Sequence, residues 1–219
     1  TDATVGVWWW DDKADDKYLE FAKNNGVDEI YYCDYSMDED TSKFVEKAKQ
    51  KGMKVFALWG ECEWVLDKSG FDRLMNKYEE YQQNYPAAAF EGVHLDVEPH
   101  QLDEFDDDRS EIMKKYVEFV TLVVSENEGV KFDFDIPFWA HDIVEVDGKT
   151  KPVYAHVIDN ANRAFVMSYR DTAEQIVDIA KEELVYAKNN NKTIALGVEM
   201  TSNEGDKVSF QEESKQVLY

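Results

Sequence analysis

The chain has 219 residues, 43% of them hydrophobic, which is enough for one sizeable core and too apolar for a disordered segment. A formal net charge of −23 is the opposite of a nucleic-acid binder's basic footprint and disfavours anionic membranes, while neutral ligands such as uncharged sugars remain compatible. No apolar run reaches the ~18 residues of a membrane span, so no membrane insertion is expected.

The chain opens Thr1-Asp2-Ala3, with neither Met nor a signal-like segment, so upstream processing or truncation is expected. An apolar strand is predicted over 5–10, and an amphipathic helix over 14–25 with Gly26 as its stop. A second strand follows over 27–34, a helix over 41–51 closed by Gly52, a third strand over 53–60, and a helix over 71–85 ended before Pro86. The fourth strand is read at 90–98, a long helix at 110–126 and the fifth strand at 130–139. The fifth crossover lacks an evident helix. Two apolar stretches, 143–146 and 152–157, flank Asp147-Gly148, a hairpin signal. A sixth strand over 164–169, a periodic helix over 173–189, a seventh strand over 192–200 and the start of a helix over 210–218 complete the series.

Short apolar strands alternating with helices imply βαβ units on a parallel sheet. Seven such strands favour a (β/α)8 TIM barrel whose eighth βα unit is missing from the chain, since a complete barrel typically takes about 250 residues. The competing fold is an open doubly wound sheet. The expectation is one domain over 1–219, with a hairpin excursion at about 140–163. Cys33 and Cys62 are too few for a disulfide scaffold and read as buried free thiols, although their places near strand ends leave a bridge geometrically open. The acidic run Asp103–Asp108 reads as a solvated loop, since its spacing does not match a helix-loop-helix calcium site.

The fourth strand carries the chemistry. It reads Glu91-Gly92-Val93-His94-Leu95-Asp96-Val97-Glu98-Pro99. Side chains alternate faces along a strand, so Val93, Leu95 and Val97 share the helix-facing side, and His94, Asp96 and Glu98 share the axial one. Barrel axes are normally filled by branched apolar side chains, so three ionisable groups there require either a satisfied polar network or a function. Glu98 is last and reaches the C-terminal mouth. Asp96, two residues deeper, lies within reach of it, and two close carboxyls do not readily carry two charges. A carboxyl that stays protonated can donate to a leaving-group oxygen.

This stretch resembles the signature of the family 18 glycoside hydrolases, the chitinase-like barrels, whose fourth strand runs Asp-Gly-x-Asp-x-Asp-x-Glu. Gly92, Asp96 and Glu98 match; Glu91 and His94 stand in place of two Asp residues. The resemblance implies that Glu98 is the general acid and that Asp96 orients the substrate acetamido group. Met167-Ser168-Tyr169-Arg170 is similar to the family's Met-x-Tyr-Asp, with Arg170 in place of Asp. That match implies that Tyr169 helps hold the acetamido group during substrate-assisted attack, and it sets Met167, Arg170 and His94 beside the substrate. Glu98-Pro99 together with Glu199 is also similar to the barrel clan that uses paired glutamates on its fourth and seventh strands. There Glu199 would be the nucleophile, roughly 5–5.5 Å from the acid in a retaining enzyme. The clan's Asn before the first Glu is replaced by Val97.

Asp133 and Asp135 alternate with Phe132, Phe134 and Ile136, so both are expected on the axial face, with Asp135 as a substrate-binding or acid-tuning residue. All six tryptophans fall near predicted strand C-termini: Trp8, Trp9 and Trp10, Trp59 and Trp64, and Trp139. Indole faces suit the apolar faces of sugar rings. Trp8, Trp10, Trp59 and Trp139 are therefore expected on a carbohydrate-binding rim, joined by Asp34 and Glu61, with Trp9 turned away into packing. No cofactor or metal is called for: the four histidines form neither an H-x-H nor an HExxH pair, although a metal-dependent barrel stays open as a third reading. The second reading is a non-catalytic carbohydrate-binding protein on the same barrel. The resemblance implies a carbohydrate substrate and a secreted or cell-surface setting.

Overall fold

The computed structural model describes residues 3–10, 16–201 and 208–210. Seven strands form one sheet: β1 (Gly6–Trp9), β2 (Glu29–Cys33), β3 (Lys54–Trp59), β4 (Val93–Leu95), β5 (Phe132–Pro137), β8 (Arg163–Met167) and β9 (Thr193–Gly197), neighbours in that order. The connecting helices are α1 (Asp16–Asn24), α2 (Glu39–Gln50), α3 (Ser69–Asn84), α4 (Arg109–Glu126), α5 (Val153–Asn160), and the pair α6 (Ala173–Ile179) and α7 (Lys181–Asn189). The fold is the expected TIM-barrel-like α/β alternation, one βα unit short among the described residues. The predicted helix over 210–218 lies, beyond Phe210, outside the described residues, as do positions 14 and 15 of the first helix.

Local chemistry sets the element ends. Asp38 caps α2 by accepting from the backbone N–H of Asp40 and Thr41, and the Thr41 hydroxyl accepts from the Asp38 N–H, a complete capping box. Gly26 and Gly52 take φ of +79° and +81° just past α1 and α2, a left-handed conformation open to glycine at no steric cost.

Packing groups the chain into two compact units, residues 1–97 with 129–132 and residues 98–128 with 133–219. In the first, β1, β2, β3 and β4 pair in parallel, with Trp8 opposite Tyr31, Tyr31 opposite Phe56 and Leu58 opposite His94. Their other face meets the helices. Trp9 and Tyr32 pack on Phe44 of α2, and Trp59 meets Tyr78 of α3 edge-on.

In the second unit β5, β8 and β9 pair in parallel, placing Asp135 opposite Phe165 and Met167 opposite Gly197. The hairpin appears as β6 (Ile143–Val146) and β7 (Lys149–Pro152), turning at Asp147 and Gly148 with φ of +51° and +71°. Its second arm corrects the sequence reading. Of the stretch 152–157 only Pro152 belongs to that arm: the arm is Lys149–Pro152, and Val153 begins α5, the crossover helix that periodicity did not reveal. Val153–Ile158 is buried on every side, so it carries no amphipathic signal, and a short buried helix reads like a strand. The predicted helix over 173–189 is likewise two helices, broken at Ala180.

Glu183 in the first turn of α7 is fully buried, with Oε1 2.9 Å from His141 Nε2 and no hydrogen-bond partner on Oε2. Burial holds its carboxyl above the usual carboxylate range, against the pull of its own backbone N–H and of His141. A group whose pKa is higher folded than unfolded binds its proton more tightly in the folded chain, so stability declines as pH rises between the two values. Glu183→Gln is expected to flatten that decline. Urea unfolding at pH values from about 4 to about 7 should show the variant gaining stability relative to wild type as pH rises.

Candidate active site

The register of the first unit puts Trp8, Tyr31 and His94 on the face opposite α2 and α3. His94 is fully buried. Its Nε2 accepts the Trp8 indole N–H at 3.2 Å, so that nitrogen is unprotonated in this contact, and its ring lies 4.4 Å from the Tyr31 ring. The Tyr31 hydroxyl donates to buried Glu29 at 3.0 Å. Past β4, Asp96 takes up the end of β3 through its N–H, which donates to the Trp59 carbonyl at 2.9 Å. The chains approach closely here: a Cβ on Gly60 would lie 2.0 Å from the Asp96 carbonyl oxygen.

Glu98 opens the second unit, at φ −107° and ψ 88°, just ahead of a 3₁₀ turn at Pro99–Gln101. Its side chain is 23% exposed, and Oε2 lies 3.1 Å from His100 Nε2. On the second stretch of sheet, Phe132 packs on Phe71 of α3, so the even positions of β5 face the helices and Asp133 and Asp135 lie on the other side, both buried. Asp133 is held by Arg163 Nη2 at 2.6 Å and by Asn162 at 2.7 Å. Asp135 is opposite Phe165, with Met167 one strand repeat further toward the C-terminal end.

Tyr169 and Arg170 follow β8 and are half-buried; Arg170 donates to the Tyr169 carbonyl at 2.6 Å and covers the Phe138 ring at 5.0 Å. The Glu199 carboxylate accepts from the backbone N–H of Met200 and Thr201 at 2.6 and 2.7 Å, so it caps its own turn.

The aromatic residues divide by strand parity. Trp8 is half-buried and Trp10 is 59% exposed. Trp59, expected on the rim, is fully buried; it sits on the helix-facing side of β3 and donates Nε1–H to the Asp34 carbonyl at 2.9 Å. Trp64 is buried against Phe71. Trp139 is half-buried among His100, Phe105 and the guanidinium of Arg109.

Asp34 accepts from the Ser36 N–H at 2.7 Å and from the Thr41 hydroxyl, so it organises the approach to α2. Glu61 is exposed beside Tyr35, whose hydroxyl is pushed above its usual pKa by burial first and by Glu61 and Cys33 in lesser part. Both cysteines are free thiols, and burial raises Cys33, with Asp34, Glu61 and Asp96 adding to the shift. His100 and Arg109 escaped the sequence reading. The signal for His100 was the Glu-Pro-His order, because a proline opening a 3₁₀ turn brings the second residue after Glu98 back toward it.

Parallel strands in sequence order, with carboxylates at their C-terminal ends, define a TIM-barrel-like α/β protein, the architecture in which enzymes carry their chemistry on those ends. Solved structures share that fold. The C-terminal domain of a putative chitinase from Desulfitobacterium hafniense matches 94% of this chain and 72% of its own length, at 14% identity and a TM-score of 0.62. The spore cortex-lytic enzyme SleL of Bacillus megaterium matches 95% of this chain at 13% identity and a TM-score of 0.61; this chain spans 56% of its length. A GH18 chitinase double mutant from Cycas revoluta, in complex with (GlcNAc)4, matches 89% of this chain and 68% of its own length, at 13% identity and a TM-score of 0.59. The chain thus has the fold of the GH18 chitinases and related glycoside hydrolases. No protein-family model matches the chain, and no curated protein matches it in sequence.

Gly60→Ala tests the packing that seats Asp96. Backbone blocks the added methyl, so β3 and β4 must separate at their C-terminal ends. The expected loss is about 2 kcal/mol or more, read as a melting temperature lower by roughly 4–8 °C for a chain of this size.

Proposed function

We propose that the chain is a glycoside hydrolase acting on an oligosaccharide or polysaccharide that contains N-acetylglucosamine, with Glu98 as the general acid. The observation that carries this reading is the state of the Glu98 carboxyl. Oε2 is engaged by His100 at 3.1 Å, and Oε1 has no partner among the described residues. One oxygen is therefore held and the other is open to a substrate, at the end of the strand where the resemblance to family 18 puts the acid. The Cycas chitinase with (GlcNAc)4 on the same fold supports the sugar.

In the proposed reaction Glu98 gives its proton to the glycosidic oxygen as the C1–O bond breaks, and the substrate's own acetamido oxygen closes onto C1. Water then opens the resulting oxazolinium ion and returns a proton to Glu98. Asp96 orients the acetamido group and tunes Glu98, and Tyr169 helps hold the reacting sugar. Substrate-assisted attack is proposed over a Glu199 nucleophile because Glu199 Oε1 is turned onto the backbone N–H groups of Met200 and Thr201 in its own turn. His94, Asp135, Met167 and Arg170 are assigned to the substrate's surroundings, and Trp8, Trp10 and Trp139 to neighbouring sugar rings. Asp34, Glu61 and Trp59 would act on a ligand only through the loops they organise. A secreted or cell-surface setting belongs to the same proposal; no helix among the described residues is long and apolar enough to cross a membrane.

The second reading, a sugar-binding protein without turnover, is favoured by Arg170, which replaces the family's Asp and is spent on Phe138 and a backbone carbonyl. A panel of chitooligosaccharides and chromogenic N-acetylglucosaminides separates the two. Turnover by the wild type that falls about 10²–10⁴-fold in Glu98→Gln, with sugar binding retained, is the expected result. Equal binding by both proteins with turnover by neither would leave only the binding protein.

A further inference from the structure

We infer that His100 is the positioning residue for Glu98, fixing which carboxyl oxygen carries the transferred proton; the inference rests on the reading of Glu98 as the acid. The geometry begins in the backbone. Pro99 opens the 3₁₀ turn, the Gln101 N–H closes it on the Glu98 carbonyl at 3.0 Å, and the His100 ring is thereby turned back to place Nε2 3.1 Å from Oε2. The ring cannot easily swing away. Its edge meets Trp139 at 5.2 Å and 82°, and Phe105 stands 6.4 Å off. Behind them the Arg109 guanidinium covers both rings, at 5.0 and 5.4 Å, and is tied to Asp142 by two hydrogen bonds of 2.8 Å. That ion pair holds the Asp142 carboxyl below the usual range and so keeps Arg109 in place.

The other nitrogen selects the tautomer. His100 Nδ1 is buried and has no hydrogen-bond partner. A proton there would be a buried, unpaired donor, the costlier of the two omissions. The neutral ring therefore carries its hydrogen on Nε2 and donates it to Oε2 of the Glu98 carboxylate. With Oε2 accepting, the proton that Glu98 delivers resides on Oε1, the oxygen without a protein partner. His100 touches no reacting atom in this scheme; it acts by holding Glu98 in one rotamer, and misplacement of a catalytic group by about 1 Å can cost on the order of 10²-fold in rate.

Two measurements on the full chain test this. Long-range ¹⁵N–¹H spectra of histidine-labelled protein, with His100 assigned by its absence in His100→Gln, report the tautomer directly. An Nε2–H form in the wild type that gives way to mixed tautomers in Glu98→Ala is expected. A predominant Nδ1–H form, or a tautomer indifferent to Glu98→Ala, would overturn the inference. The kinetic arm compares His100→Phe, which keeps the ring packing, with His100→Gln, which restores an N–H near the Nε2 position. His100→Phe should lower kcat roughly 10–100-fold with KM within about twofold, and His100→Gln should recover most of the loss. A folded His100→Phe variant with wild-type kcat would refute it. If the wild type turns over no glycoside, the proposed function fails by itself, and the tautomer spectra still decide whether His100 holds Glu98.

Discussion

A polar or charged side chain on the inner face of a parallel sheet survives only where a neighbour satisfies it, because leaving it unpaired out of water costs several times what a typical hydrogen bond contributes. That requirement organises both units. In the first, the Trp8 indole N–H meets His94, and Tyr31 bridges from the His94 ring to Glu29. In the second, Arg163 and Asn162 together neutralise Asp133. Trp8 and His94, and Asp133 and Arg163, come from different strands, so these inner polar pairs help to fix strand register alongside the apolar face. A one-residue slip would turn His94 toward the helices and leave the Trp8 indole facing an aliphatic neighbour.

Against that background Glu98 is partly exposed and held on one side only, by His100, as buried Glu183 is held by His141. Asp133 is gripped at both oxygens, and Glu199 Oε1 accepts two N–H groups of its own turn. Glu98 keeps an open oxygen within a setting of aromatic rings that restricts its motion without consuming its chemistry. In the proposed function Glu98 is the carboxyl that exchanges a proton with a ligand, whereas Asp133 maintains the sheet.

The order of strands and helices was legible because strands and helices differ in period, and glycines or prolines mark most helix ends. The axial placement of His94 and Asp135 followed from alternation alone. Parity was misapplied at Trp59. Closeness to the strand's C-terminal end suggested the rim, whereas its position in β3 turns it onto Tyr78. The helix Val153–Asn160 was hidden because burial on all sides erases amphipathic periodicity. Asp34 and Glu199 looked like site residues from their strand-end positions, which do not reveal that nearby backbone and hydroxyl groups take up both Asp34 oxygens and Glu199 Oε1. For His100 the Glu-Pro-His order was the one signal, since its approach to Glu98 depends on a turn whose closure brings together residues two apart.

The β6–β7 hairpin lies outside the main sheet and packs on α4 and α5. Its register is pinned by its own tight turn, with Val144 and Val146 alternating inward against Ile143 and Glu145. It leaves the sheet after β5, and the chain rejoins β8 in register only after α5. A module of this kind behaves like an interchangeable fitting: its length and tip can drift without disturbing the strands that flank it. Changes of length would then accumulate there first, while the sheet and its carboxylates stayed unchanged.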